Sequence, residues 1–121
     1  MAKVLVVEDD PDNRRLLEFR LTGMGHQVLG AGCAGEALAL IGQFGVPDLA
    51  VMDIVMEGID GLDLLMILRR VPTCVGMPAI MLTARQLDGD QRLAARLNAQ
   101  YMLKPVVAAD LTLAVDAALA A

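Results

Sequence analysis

Apolar residues in this chain fall into short unbroken blocks, separated by longer stretches in which they recur every three or four positions. Val4–Val7, Leu49–Met52 and Ala79–Leu82 are blocks of the first kind. A run of that length with no polar alternation marks a strand buried on both faces, as in a parallel sheet covered by helices. Gln27–Ala31 is a weaker strand, and Tyr101–Leu103 is the last. Between them lie helical patterns. Asp10 can cap a helix that opens at Pro11, carries Leu17, Leu21 and Met24 at helical spacing and closes at Gly25. The spacing predicts a second helix over Ala34–Phe44 with Ala37, Leu38, Ile41 and Phe44 along one side, broken by Gly45-Val46-Pro47-Asp48. A third helix is expected from Leu62 to Arg70, after which Pro72 and Pro78 bracket a loop. A fourth is expected from Asp88 to Leu97, stopped by Asn98 in the left-handed conformation. Leu111, Val115, Ala118 and Leu119 mark a closing amphipathic helix. Strand and helix thus alternate five times, which calls for an α/β sandwich with a parallel sheet and right-handed crossovers.

Four of the strand blocks end at polar residues. Val7 is followed by Glu8-Asp9-Asp10, Met52 by Asp53, Leu82 by Thr83 and Leu103 by Lys104-Pro105. In a parallel sheet these ends share one edge, where open α/β folds place their ligands. Carboxylates crowded there repel one another and raise one another's proton affinities unless a cation joins them. Mg²⁺ suits such a site, because it takes oxygen ligands at about 2.0–2.1 Å and combines one or two carboxylates with water and phosphate oxygens. Asp9 and Asp53 would supply ligands, with Glu8 acting directly or through water. A hydroxyl and an ammonium beside the metal are the groups that neutralise charge during phosphoryl transfer, which gives Thr83 and Lys104 their place. Asp53, alone at its strand end, is the candidate nucleophile for an acyl phosphate.

The remaining composition narrows the classes. At 121 residues, 56% hydrophobic and mean hydropathy +0.55, the chain suits one domain over residues 1–121 with a well-buried core. No apolar run approaches the roughly 18–20 residues of a membrane span, and the amino terminus enters a strand pattern without a signal peptide, so a cytoplasmic protein is expected. A net charge of −5 and a pI near 4.6 argue against direct nucleic-acid binding. Cys33 and Cys74 are too few and too isolated for a zinc site or a disulfide framework, and both read as buried or half-buried thiols. His26, the only histidine, sits at a turn before a strand and is a poor catalytic partner. The eight methionines read as core filler.

Taken in order, Val4-Leu5-Val6-Val7-Glu8-Asp9-Asp10, Asp53, Leu82-Thr83-Ala84-Arg85 and Tyr101 with Lys104-Pro105 resemble the receiver domains of two-component response regulators, related to the bacterial chemotaxis receiver. The resemblance covers essentially the whole chain. It implies a flavodoxin-like (βα)5 three-layer sandwich with a five-stranded parallel sheet in the order 2-1-3-4-5. It implies a phosphoacceptor protein and not an enzyme: Asp53 takes a phosphoryl group from a histidine kinase or histidine phosphotransfer protein. Mg²⁺ (or Mn²⁺) would be held by Asp9, Asp53 and the Val55 carbonyl, with Glu8 through water. Thr83 and Tyr101 would form the switch whose surface engages a downstream protein, the chain being a monomer or a weak phosphorylation-dependent dimer. Lys104-Pro105 would be cis.

The chain departs from the family pattern in places. Glu57 replaces a common proline and adds an acid near the rim, while Val55 and Arg85 fill variable flanking positions. Asn98-Ala99-Gln100 lacks the acidic pair of dimerising transcription-factor receivers, and Val106 replaces a frequent aromatic. Two other phosphate classes fit poorly. A haloacid-dehalogenase-type enzyme needs an aspartate where Val55 stands, and a flavodoxin-type carrier needs a Ser/Thr/Gly-rich loop where Glu8-Asp9-Asp10-Pro11 stands. The alternative from another class is a receiver-like interaction module that works without phosphorylation.

Overall fold

The computed structural model describes residues 1–120. Strands β1 (Lys3–Val7), β2 (Gln27–Ala31), β3 (Leu49–Asp53), β4 (Ala79–Thr83) and β5 (Gln100–Leu103) alternate with helices α1 (Pro11–Gly23), α2 (Ala34–Phe44), α3 (Gly61–Arg69), α4 (Asp88–Arg96) and α5 (Ala108–Ala120). The strands form one parallel sheet in the order β2-β1-β3-β4-β5. This is the flavodoxin-like order.

Successive side chains of a strand point to opposite faces, and here that alternation divides the core in two. Val4, Val6, Leu49, Val51, Ile80 and Leu82 pack with Leu17 and Leu21 of α1 and Leu111, Val115 and Ala118 of α5. Leu5, Val7, Ala50, Met52, Ala79 and Met81 face the other way, onto Ala34 and Ala37 of α2, Leu62, Leu65 and Leu68 of α3 and Ala94 of α4. The three-layer sandwich follows directly. All five residues of β3 and of β4 are buried, whereas β5 at the edge has none that is fully buried.

Local chemistry ends each element as its residues dictate. Asp10 caps α1 by accepting the Asn13 N–H at 2.9 Å ahead of Pro11, and Asp60 caps α3 by accepting the Asp63 N–H at 2.8 Å. Gly25 and Gly45 turn the chain at φ +92° and +86°, and Asn98 does so at +61°. The bracketed loop contains a 3₁₀ turn, Pro72–Cys74. Two expectations are corrected. On α2 the inward stripe is Ala34, Ala37 and Ile41 with Leu40, while Leu38 and Phe44 are exposed, because small residues let the helix lie close to the sheet. Cys74 is buried as expected, but Cys33 is exposed at the start of α2.

Candidate functional site

The carboxyl edge of the sheet gathers residues that stand up to 96 positions apart in the chain. Glu8 continues the parity of Val4 and Val6, and Asp53 that of Leu49 and Val51, so both acids lean to the same side of adjacent strands. Their burial is deep: relative exposures are 1% for Glu8 and 7% for Asp53, with Thr83 at 0%. Two nearly dry acids a few ångströms apart require a positive partner. Lys104 provides it, its Nζ donating to Glu8 Oε1 at 2.7 Å and to Asp53 Oδ2 at 3.0 Å. The peptide bond that follows, Lys104-Pro105, is cis.

The electrostatics reflect this enclosure. Burial pushes the Glu8 carboxyl above the usual glutamate range, and the nearby Asp53 charge adds to the rise. Hydrogen bonds from Lys104 and from the Asp10 amide oppose it without cancelling it. Burial also works against the Lys104 ammonium, but its hydrogen bonds to Glu8 and Asp53 outweigh that and hold it above the ordinary lysine value.

One ligand atom each from Glu8, Asp9 and Asp53 lies within 4.8 Å of the others. An all-oxygen set of that size, with two members buried and one exposed, fits a hard divalent cation that keeps part of its water. Hydrogen bonds hold the set in place. The Val55 N–H donates to Asp53 Oδ1 at 3.2 Å and the Glu57 N–H to Asp9 Oδ2 at 3.0 Å. The Glu57 contact is possible only because this position is not proline, so the departure acts through the backbone amide, which orients an acid of the cluster.

Thr83 and Tyr101 are also at this end of the molecule. Thr83 Oγ1 accepts the Arg85 N–H at 3.1 Å, and the Tyr101 hydroxyl donates to the Arg85 carbonyl at 3.0 Å. The Tyr101 ring is half-buried against the α2–α4 side of the core.

Three supporting residues were not singled out by sequence reasoning. An added Cβ on Gly61 would lie 2.1 Å from the Asp53 carbonyl oxygen, so α3 can begin beside that strand end only with glycine there. The sequence marks Gly61 as a turn residue, but the close approach is tertiary. Arg14 donates to the Glu8 carbonyl at 2.8 Å, fixing the backbone of the first acid. It reads in sequence as one of several charges on the outer faces of α1. Asp90 pairs with Arg85 at 2.9 Å and reads as an ordinary first-turn acid.

A parallel sheet in this order with an acid cluster at its carboxyl edge defines a flavodoxin-like domain of the receiver class. Comparison with known proteins agrees: the chain matches the family model of the response regulator receiver domain over residues 4–116, and it belongs to that family. It is 35% identical to protein PilH of Pseudomonas aeruginosa over 121 residues, covering 99% of each chain. It is 41% identical over 104 residues to an uncharacterized 14.6 kDa protein of Leptolyngbya boryana, covering 85% of this chain and 79% of that one. Some relatives are much longer. The chain spans 46% of the transcriptional regulatory protein AfsQ1 of Streptomyces coelicolor at 37% identity, with 88% of its own length matched.

Among solved structures, a response regulator receiver domain protein from Clostridium thermocellum superposes with a TM-score of 0.90 at 29% identity, covering 99% of this chain and 95% of that one. Chemotaxis protein CheY4 of Vibrio cholerae gives 0.91 at 25% identity, covering 98% and 99%. Receiver domains belong to two-component systems, where they interact with histidine kinases or phosphotransfer proteins and bind Mg²⁺ at an acidic pocket. No described helix is long and apolar enough to cross a membrane.

Proposed function

We propose that this chain is a phosphoacceptor of a two-component phosphorelay in which Asp53 carries the phosphoryl group. The observation that carries the reading is the convergence of Glu8, Asp9, Asp53 and Lys104, from the ends of three strands, at the carboxyl edge of the sheet. An Asp53 oxygen attacks phosphorus, the bond from phosphorus to the donor's imidazole nitrogen breaks, and the electron pair leaves with that nitrogen. The product is an acyl phosphate on Asp53 and a free histidine on a kinase or phosphotransfer protein. Lys104 is already on Asp53 Oδ2 and needs no long approach to pair with a phosphoryl oxygen. Asp9, Asp53 and the Val55 carbonyl, with Glu8 at one remove, would hold Mg²⁺ or Mn²⁺, which would supply charge neutralisation. The Thr83 hydroxyl, released from the Arg85 amide, donates to another oxygen, and Tyr101 follows through its bond to the Arg85 carbonyl. The altered surface of α4, β5 and α5 then engages a downstream protein.

The alternative is a receiver-like interaction module that is never phosphorylated, and intact mass separates the two. After incubation with Mg²⁺ and a small phosphodonor such as acetyl phosphate, the native chain is expected to gain one phosphoryl mass and Asp53→Asn none. Absence of the adduct on the native chain would favour the unphosphorylated module.

A further inference from the structure

Arg85 is held by three different groups. Its N–H donates to Thr83 Oγ1, its carbonyl accepts the Tyr101 hydroxyl, and its guanidinium pairs with Asp90 through Nε to Oδ2 at 2.9 Å and Nη2 to Oδ1 at 3.5 Å. Thr83 ends β4, Tyr101 lies on the neighbouring strand β5, and Asp90 is in the first turn of α4. One loop residue therefore ties two strands and a helix together. Asp90 is well suited to the anchoring role, since its side chain is only 14% exposed while that of Arg85 is 44% exposed. Leu87, at the cap position of α4, offers no side-chain acceptor, so Asp90 is also an acid placed at the positive end of that helix. The Asp90 hydrogen bond is the main influence holding the guanidinium above its ordinary proton affinity. The other carboxylate acting on Arg85, Asp60, is engaged in capping α3.

We propose that the Arg85–Asp90 ion pair is a latch on the β4–α4 loop that governs the Tyr101 ring, with both residues in positioning roles. The proposal rests on the reading of Thr83 and Tyr101 as the switch, but it concerns the unmodified chain. The Thr83 hydroxyl and the Tyr101 ring are both bonded to the backbone of Arg85, so a loop whose side chain is pinned to α4 holds the two in place. Releasing the pin leaves the Arg85 carbonyl free to drift and loosens the ring bound to it. The pair thereby sets how readily the loop rearranges, and salt, which weakens half-exposed ion pairs, shifts that balance.

Tyr101 is the only tyrosine and the chain has no tryptophan, so intrinsic fluorescence reports on that one ring. Acrylamide quenching is compared in the native chain, Asp90→Asn and Arg85→Gln, all without phosphodonor. Because a half-exposed pair shifts a local balance only a few-fold, about a twofold rise in the quenching constant is expected in Asp90→Asn and Arg85→Gln. The native chain in high salt is expected to approach Asp90→Asn. Native-like quenching in both latch variants would overturn the proposal. So would loss of the far-UV circular dichroism of the fold in both, which would make the pair a general folding requirement. Quenching that rises as expected in a chain that never accepts phosphate would refute the phosphorelay reading and leave the latch standing.

Discussion

At the scale of single residues, Lys104 carries the site's electrostatic stability. Glu8 is a buried acid whose proton affinity is raised, so its protonation favours the fold below the ordinary glutamate range, and that contribution fades as pH climbs through the raised value. At neutral pH the pair of acids therefore depends on the ammonium between them. The Lys104 affinity is also raised, so its contribution is complete below the ordinary lysine value and disappears as pH rises through the higher one. Lys104→Met in metal-free buffer is expected to lower stability by about 1–3 kcal/mol, since removing one partner strands buried charge. Denaturant titrations from pH 7 to 11 should show the gap between native and variant constant at first and closing only in the alkaline range. A gap that closes below the lysine range would contradict the contacts described. Glu8, Asp53, Thr83 and Lys104 were legible in the sequence because each follows an apolar block at a strand end. Arg14 and Asp90 were not, because a surface charge on a helix has the same local signature whether it faces water or a loop.

At the scale of elements, the packing of α3 against β3 depends on a missing side chain. Gly61→Ala would place a methyl 2.1 Å from the Asp53 carbonyl oxygen, a backbone atom that can yield only by shifting the strand end. A loss of about 1–3 kcal/mol is expected from this overpacking, measured as a lower urea midpoint with unchanged slope. If Asp53 is the phosphoacceptor as proposed, a smaller phosphoryl adduct than that of the native chain is expected alongside it, read by the same intact-mass assay. A variant as stable as native would mean that α3 can begin farther from β3. The first four helices and the five strands were readable to within one or two residues, because caps such as Asp10 and breakers such as Gly45 and Asn98 are written locally. The α2 face was misread for a physical reason. Periodicity favours large residues as the buried stripe, but the close approach to the sheet selects Ala34 and Ala37 and leaves Leu38 and Phe44 outside.

At the scale of the whole molecule, alternation of strand and helix made the parallel sheet legible, whereas the strand order was legible only through the resemblance to receiver domains. The acid cluster joins the loop that follows β1 to the end of β3, so an ion bound there would act on the fold as a whole. Mg²⁺ at about ten times its dissociation constant should add roughly 1.4 kcal/mol and raise the melting temperature by a few degrees. The rise should vanish with chelator and in Asp9→Ala; an unchanged melting curve at millimolar Mg²⁺ would argue against the cluster as a cation site.

The uneven depth of the sheet gives this architecture its division of labour. β3 and β4 are sealed on both faces, whereas β5 lies shallow at the margin and carries Tyr101. Chemistry can be held still at the centre while the rim rearranges, because displacing a half-wet strand disturbs little of what keeps the chain folded. In the phosphorelay proposed above, the message would travel from the most protected part of the protein to the part that can be altered with least harm.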